Sequence, residues 1–154
     1  RDAAAITKIY NHYVLNTNIT FEEVPVSVDE MAKRINEIVS ADLPWLVAEE
    51  NGVIVGYAYA SKWKARAAYR HTLESTVYLD AAQVSKGIGT KLYDAPFALL
   101  REKSVHVVMG VIALPSDASV ILHEKFGMQK AAHFSEVGFK FGRWVDVGYW
   151  QVTI

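Results

Sequence analysis

Asn51-Gly52 sits between two runs, Trp45 to Glu50 and Val53 to Trp63, that are rich in β-branched and aromatic residues. Both turn residues tolerate positive φ, which a two-residue hairpin turn demands. The chain therefore contains an antiparallel strand pair. Helical patterns precede it. Ala4, Ala5, Ile6, Ile9, Tyr10 and Tyr13 recur at helical spacing, and Val28 to Val39 follows Ser27, an N-cap residue with Glu30 three positions on.

Beyond a polar loop, Lys64 to Arg70, a strand is predicted from Thr72 to Asp80. Strict alternation there puts Glu74, Thr76 and Tyr78 on one face. From Gly87 the pattern turns helical, with Leu92, Pro96, Leu99 and Leu100 on one side and a kink expected at Pro96. Val105 to Ile112 reads as a buried strand. Ser116 or Asp117 caps a short helix that Gly127 ends in a left-handed conformation. Ala131 to Phe139 and Trp144 to Val152 read as two strands joined through Gly142. The sum is an α+β domain, a mixed sheet with interleaved helices.

The 154 residues, half of them hydrophobic, suffice for one filled core and are too few for two ordinary domains, and no repeat or linker divides them. Sixteen basic against seventeen acidic side chains give no bulk field favouring nucleic acid or an anionic membrane. A small neutral or zwitterionic ligand fits better. The longest apolar runs, Val53 to Ala60 and Val107 to Leu114, are far shorter than the roughly 20 residues of a membrane helix, so a soluble protein is expected. With no cysteine there is no disulfide framework, thiolate metal site or cysteine nucleophile, which is compatible with a reducing, cytoplasmic setting. No histidine spacing matches a metal site.

Lys86-Gly87-Ile88-Gly89-Thr90 links a strand to a helix, where unpaired N–H groups and the helix dipole favour phosphate. Alone it reads more often as an ordinary tight connection. Its surroundings add weight. Thr72-Leu73-Glu74-Ser75-Thr76-Val77-Tyr78-Leu79 before the turn and Leu122-His123-Glu124-Lys125-Phe126-Gly127-Met128 after it resemble the GNAT superfamily of acetyl-CoA-dependent N-acetyltransferases. Trp63-Lys64-Ala65-Arg66, Tyr69, Ile112 to Asp117 and Lys140 to Gly148 are similar to its phosphinothricin and methionine-sulfoximine acetyltransferase branch. The resemblance spans Tyr10-Asn11-His12 to Trp150-Gln151.

That resemblance implies a GNAT fold, with a mostly antiparallel sheet split between its middle strands and a short strand ahead of Arg1. It implies acetyl-CoA as cosubstrate, no metal, an amino-acid-like acceptor and a homodimer in which the Phe139–Trp144 loop reaches the partner's pocket. The pyrophosphate maps onto Ser85, Lys86, Gly87, Ile88, Gly89 and Thr90, and the pantetheine arm onto main-chain groups of Val77, Tyr78 and Leu79. Ser116 and Ser119 fall at further cofactor positions, although the branch commonly has Asn where Ser116 stands, and Val84 replaces a usual Gln or Arg.

Glu74 is similar to the branch's general base, the group that relieves a protonated amine of its proton. A solvated carboxylate, or one paired with Arg66, Arg70 or His71, is the plain alternative. His123 stands where many GNAT enzymes carry a thiolate-protonating tyrosine, and an imidazole there serves as acid, base or orienting group. Tyr78 offers a backbone N–H to a developing oxyanion, or a ring that packs. Lys64, Arg66 and Tyr69 match substrate-holding positions in the branch, or form a solvated basic loop; Phe21 matches a pocket wall, or is core. Two competitors remain open: another amine as acceptor, such as a peptide, lysine or other metabolite, and a non-catalytic acyl-CoA sensor.

Overall fold

The computed structural model describes residues 2–83 and 87–154. Two helices, α1 (Ala3–Asn16) and α2 (Val28–Ser40), precede a hairpin of β1 (Trp45–Glu50) and β2 (Val53–Lys62). A 3₁₀ turn, Ala67–Tyr69, leads to β3 (Thr72–Leu79), after which come α3 (Ile88–Arg101), β4 (Val107–Leu114), α4 (Asp117–Lys125) and the long hairpin β5 (Gln129–Lys140) and β6 (Arg143–Thr153).

Local chemistry explains most boundaries. Asn51 and Gly52 both adopt positive φ, 52° and 78°, as the hairpin turn requires. Ser27 caps α2 by accepting a hydrogen bond from the Glu30 N–H at 3.0 Å. Gly87 at φ 76° opens α3, and Gly127 at φ 79° follows α4. Two expectations are corrected. The strand predicted from Val105 starts at Val107 and runs on to Leu114, because its partner β6 extends that far. Ser116 occupies the N-cap position of α4, but its side chain makes no capping bond. Pro96 lies buried within α3, and the helix continues past it to Arg101.

The six strands are ordered β1-β2-β3-β4-β6-β5 and are antiparallel except for β3 beside β4. That one parallel pair is short. It registers Thr72 to Glu74 against Val107 to Met109 and then stops, while β4 continues along β6 to Leu114. The sheet is thus split from Glu74 onward.

Two cores lie on opposite faces. Odd-numbered residues of β3, such as Leu73, join Tyr93, Phe97 and Leu100 of α3 and Val108, Ile112 and Trp150 of the sheet. Even-numbered Tyr78 faces the other way, with Tyr57, toward Ile6, Tyr10 and Tyr13 of α1 and Met31 of α2. Burying such side chains is worth about 1.5–3 kcal/mol each, so both helix layers clamp β3 firmly while its far edge stays open.

Candidate active site

The split in the sheet is lined as a cleft of about 260 Å³. From the α1/α2 face come Phe21, Glu74, Thr76, Tyr78, Val111, Ala113 and Val147. From the α3/α4 face come Ser75, Val77, Ile112, Ser116, Ser119, Leu122 and His123. The cleft therefore passes through the sheet, and Glu74 and His123 approach it from opposite faces.

The backbone of β3 decides what the cleft can bind. Asp80 N–H donates to the Val55 carbonyl at 2.8 Å, and Trp63 N–H to Thr72. With the unbroken β2–β3 register, paired residues alternate between bonded and non-bonded, so Glu74, Thr76 and Tyr78 turn their peptide groups toward β2. Ser75, Val77 and Leu79 turn theirs toward the split. His71, also odd-numbered, bonds β4 through its carbonyl, which accords with this parity. The Ser75 N–H still belongs to the ladder that frames the Glu74–Met109 pair; beyond it, among the described residues, no strand pairs with Val77 or Leu79, although the Tyr13 hydroxyl donates to the Leu79 carbonyl. Val111 and Ala113 line the other bank. Two diverging rows of unpaired donors and acceptors cannot stay dry without a partner. An extended ligand with its own amides fits that slot, as the pantetheine arm of acetyl-CoA would.

This geometry reassigns one expected donor. The Tyr78 N–H belongs to the β2 ladder, paired with Tyr57, so the cleft-facing donors beside it are Val77 and Leu79. The Tyr78 ring packs edge-on to Tyr10 at 5.4 Å and tilted to Tyr57 at 5.6 Å. Burial lifts its phenol well above the ordinary tyrosine range, so it stays protonated.

At the end of β3, Gly87 in its left-handed conformation leaves the first amides of α3 without a side-chain cap. Gly89 packs against Leu79, where an added Cβ would stand 3.3 Å from the leucine side chain. Gly87, Ile88, Gly89 and Thr90 thus present helix-N-terminal donors suited to a pyrophosphate. Ser85 and Lys86 lie outside the described residues.

Glu74 stands at the vertex where the strands part. Burial raises its carboxyl above the usual range, and the nearby positive charge of Lys64 pulls it partly back. It is not paired with the neighbours that could have neutralised it: Arg70 donates to the Ala67 carbonyl and the His71 ring bonds the Ser104 carbonyl at 2.5 Å. Among the described residues no ion pair holds this half-buried carboxylate, and Lys64 acts on it only through its field; such a group is suited to take a proton.

His123 is 7% exposed. Its Nδ1 lies 2.6 Å from the Ser119 carbonyl, which only accepts, so Nδ1 carries the proton and Nε2 keeps the lone pair. Burial lowers its basicity. The ring stands edge-on to Tyr93 at 5.2 Å and lies so close over Gly110 that a Cβ there would meet Cδ2 at 2.3 Å. Tyr93 in turn hydrogen-bonds the Ser75 hydroxyl.

Of the expected substrate residues, Phe21 lines the cleft, whereas Lys64, Arg66 and Tyr69 do not. Tyr69 packs edge-on to Trp63 at 5.3 Å, Lys64 lies over the same indole, and Arg66 is exposed just ahead of the 3₁₀ turn. Lys64 still reaches the site through its field at Glu74. Sequence reasoning missed Val111, Ala113 and Val147, whose side of the sheet depends on non-local register. It also passed over Gly110, although a glycine inside a buried strand signals a close approach.

Among the described residues no group of three or more side chains is placed to hold a metal ion, and no helix is long and apolar enough to cross a membrane.

Comparison with known proteins agrees with this geometry. A phosphinothricin N-acetyltransferase of Streptomyces viridochromogenes is 39% identical over 150 residues, covering 97% of this chain and 81% of that protein. An L-methionine sulfoximine/L-methionine sulfone acetyltransferase of Salmonella typhimurium is 37% identical over 99% of this chain and 90% of its own length. The crystal structure of a GNAT superfamily phosphinothricin acetyltransferase from Sinorhizobium meliloti, in complex with acetyl-CoA, superimposes with a TM-score of 0.96 at 36% identity, covering 99% of this chain and 83% of that one. The acetyltransferase (GNAT) domain model matches residues 1–148: the chain belongs to the GNAT acetyltransferases.

Proposed function

We propose that the protein transfers the acetyl group of acetyl-CoA to the α-amino group of an amino acid or amino-acid analogue of the phosphinothricin or methionine-sulfoximine type, directly and within a ternary complex. The observation that carries this reading is Glu74, a half-buried carboxylate that no ion pair holds among the described residues, at the vertex of a cleft where β3 and β4 stop pairing.

Acetyl-CoA supplies a thioester carbon open to attack. Glu74 accepts a proton from the acceptor's ammonium, freeing the lone pair that forms the new C–N bond. The Val77 N–H, turned into the split, steadies the negative charge that grows on the carbonyl oxygen as the C–N bond forms; the attacking nitrogen gives its surplus proton to solvent, and the charge returns to re-form the carbonyl as the C–S bond breaks. The thiolate then leaves and is protonated from solvent. His123, neutral and with its lone pair on Nε2, acts as an acceptor or orienting group rather than as the thiolate's acid. With no cysteine in the chain, transfer proceeds without a cysteinyl acyl-enzyme. Phe21, Val111 and Val147 wall the acceptor side, and Lys64, with Arg66 and Tyr69 on the adjoining loop, draws in the acceptor's anionic end.

The same reading has the protein act as a homodimer in the cytoplasm, where acetyl-CoA, too highly charged to cross a bilayer unaided, is at hand. Support for the dimer comes from Phe139, Phe141 and Trp144, each more than half exposed on the β5–β6 hairpin.

The test is an acceptor panel of free amino acids, phosphinothricin, methionine sulfoximine, methionine sulfone and short peptides, followed by thiol release and ranked by kcat/KM. The α-amino acids are expected to lead. A peptide leading the ranking would move the acceptor class, and tight acetyl-CoA binding with no acetylation of any amine would make the protein a sensor.

A further inference from the structure

Among the described residues Lys140 is the most deeply buried lysine, 2% exposed near the tip of the β5–β6 hairpin, and the chemistry above does not use it. Its Nζ donates to the carbonyl of Thr20 at 2.7 Å. Thr20 lies in the α1–α2 loop, which carries Ile19, Thr20 and Phe21 into the lining of the cleft. Two residues before Lys140, on the same face of β5, Gly138 receives the ring of Phe21 so closely that a Cβ there would stand 2.4 Å from it.

The loop's other ties come from its own side of the split. Asn11 brackets Val26, donating to its carbonyl at 2.9 Å and accepting from its N–H at 2.8 Å. The Tyr10 hydroxyl donates to Glu22 at 2.6 Å and meets the Thr20 hydroxyl at 2.8 Å, and Arg34 grips Glu22. All of these fasten the loop to α1 and α2. Among the described residues, the Lys140–Thr20 contact is the hydrogen bond that joins the loop to the hairpin on the far bank. Charge favours it, since Glu22 and Glu23 lie near enough to sustain the ammonium against its burial.

We propose that Lys140 is a positioning residue for the acceptor: by holding the Thr20 carbonyl across the split, it seats Phe21 on Gly138 and fixes the width of the acceptor side of the cleft. The proposal rests on the acetyl-transfer reading for its kinetic consequence, though not for its structural one. Because the contact touches neither the cleft-facing backbone of β3 nor the start of α3, cofactor binding is independent of it.

The experiment compares wild type with Lys140→Met, which keeps the stem and removes the donor. Losing a charge-assisted hydrogen bond corresponds to about tenfold or more when it is expressed in binding. Acceptor KM is expected to rise by about that factor, with kcat within about threefold and the acetyl-CoA KM unchanged. Phe21→Ala should add little on top of Lys140→Met, because both act through one wall. Amide hydrogen exchange should quicken over residues 17–24 and not in α1 or β3. Gly138→Ala, which unseats Phe21 with Lys140 intact, should reproduce the acceptor effect and keeps the question decidable if Lys140→Met does not fold. Equal rises in both KM values, additivity with Phe21→Ala, or an acceptor KM unmoved by Gly138→Ala would each overturn the proposal. The exchange arm needs no acceptor, so unchanged exchange at 17–24 refutes the clamp whatever the wild type acetylates.

Discussion

Glu74 is raised in pKa by its burial, and the direction of that shift has consequences for both rate and stability. A carboxyl whose folded pKa exceeds its unfolded value favours the folded state when protonated, and that contribution is lost as pH rises through the folded pKa. At neutral pH the ionised side chain is a cost to the fold. Glu74→Gln is therefore expected to lower kcat by about 10²–10⁴ while leaving the thermal midpoint at pH 7 no lower than wild type; a large loss of stability together with activity would refute the role. The rate profile of wild type should show an acid limb above the ordinary glutamate range, and the variant should lack it. His123 runs the other way. Its basicity is depressed by burial, so its contribution to stability is full above the ordinary imidazole pKa and fades as pH falls below it. Gly110 underlies that ring. Gly110→Ala would drive a methyl to within 2.3 Å of Cδ2, and the expected result is a loss of about 1–3 kcal/mol in denaturant unfolding together with reduced turnover. That Glu74 shares a face with Tyr78 was legible from β-alternation, which is local, while its role as base came only with the family resemblance. The role of Lys140 was not, because a lysine beside an exposed aromatic tip reads as solvated until the loop folded over it is seen.

At the scale of elements, what could be read from sequence follows the range of the forces involved. The Asn51-Gly52 hairpin, the Ser27 cap and the left-handed Gly127 are local demands, and each is met where expected; the left-handed conformation of Gly87 was not foreseen. The start of β4 was misplaced because its ends are set by pairing with β6, some forty residues distant. The order β4-β6-β5, and hence the arrival of Val147 in the lining of the cleft, is non-local for the same reason. The split is an element-scale property too, since β3 and β4 share three register pairs and then part. A ligand that bonds both banks should stabilise the fold by linkage, about 2.7 kcal/mol at a hundredfold excess over Kd. Thermal melts with and without CoA check this, and a midpoint unmoved by saturating CoA would contradict the slot as the cofactor's seat.

For the whole molecule, the β5–β6 hairpin carries an exposed ridge of Phe139, Phe141 and Trp144, with Trp144 64% exposed and its ring 4.8 Å from that of Phe139. Sedimentation equilibrium is expected to give a dimer, and Trp144→Glu to shift it toward monomer by burying an unpaired charge; a wild-type monomer at working concentration would remove the dimer from the functional reading. The hairpin's inner face also carries Gly138 and Lys140, so the exposed aromatic ridge and the seat of Phe21 share one element. The open bank of β3 has a separate consequence for how such a protein can change over time. A cofactor held by peptide groups is indifferent to which side chains adorn that strand, so Val77→Ile should leave acetyl-CoA affinity within a few-fold, whereas Val77→Pro, which deletes the N–H itself, should abolish it. Mutation is then free to redraw the acceptor chamber, residue by residue, without the donor's seat ever being at stake.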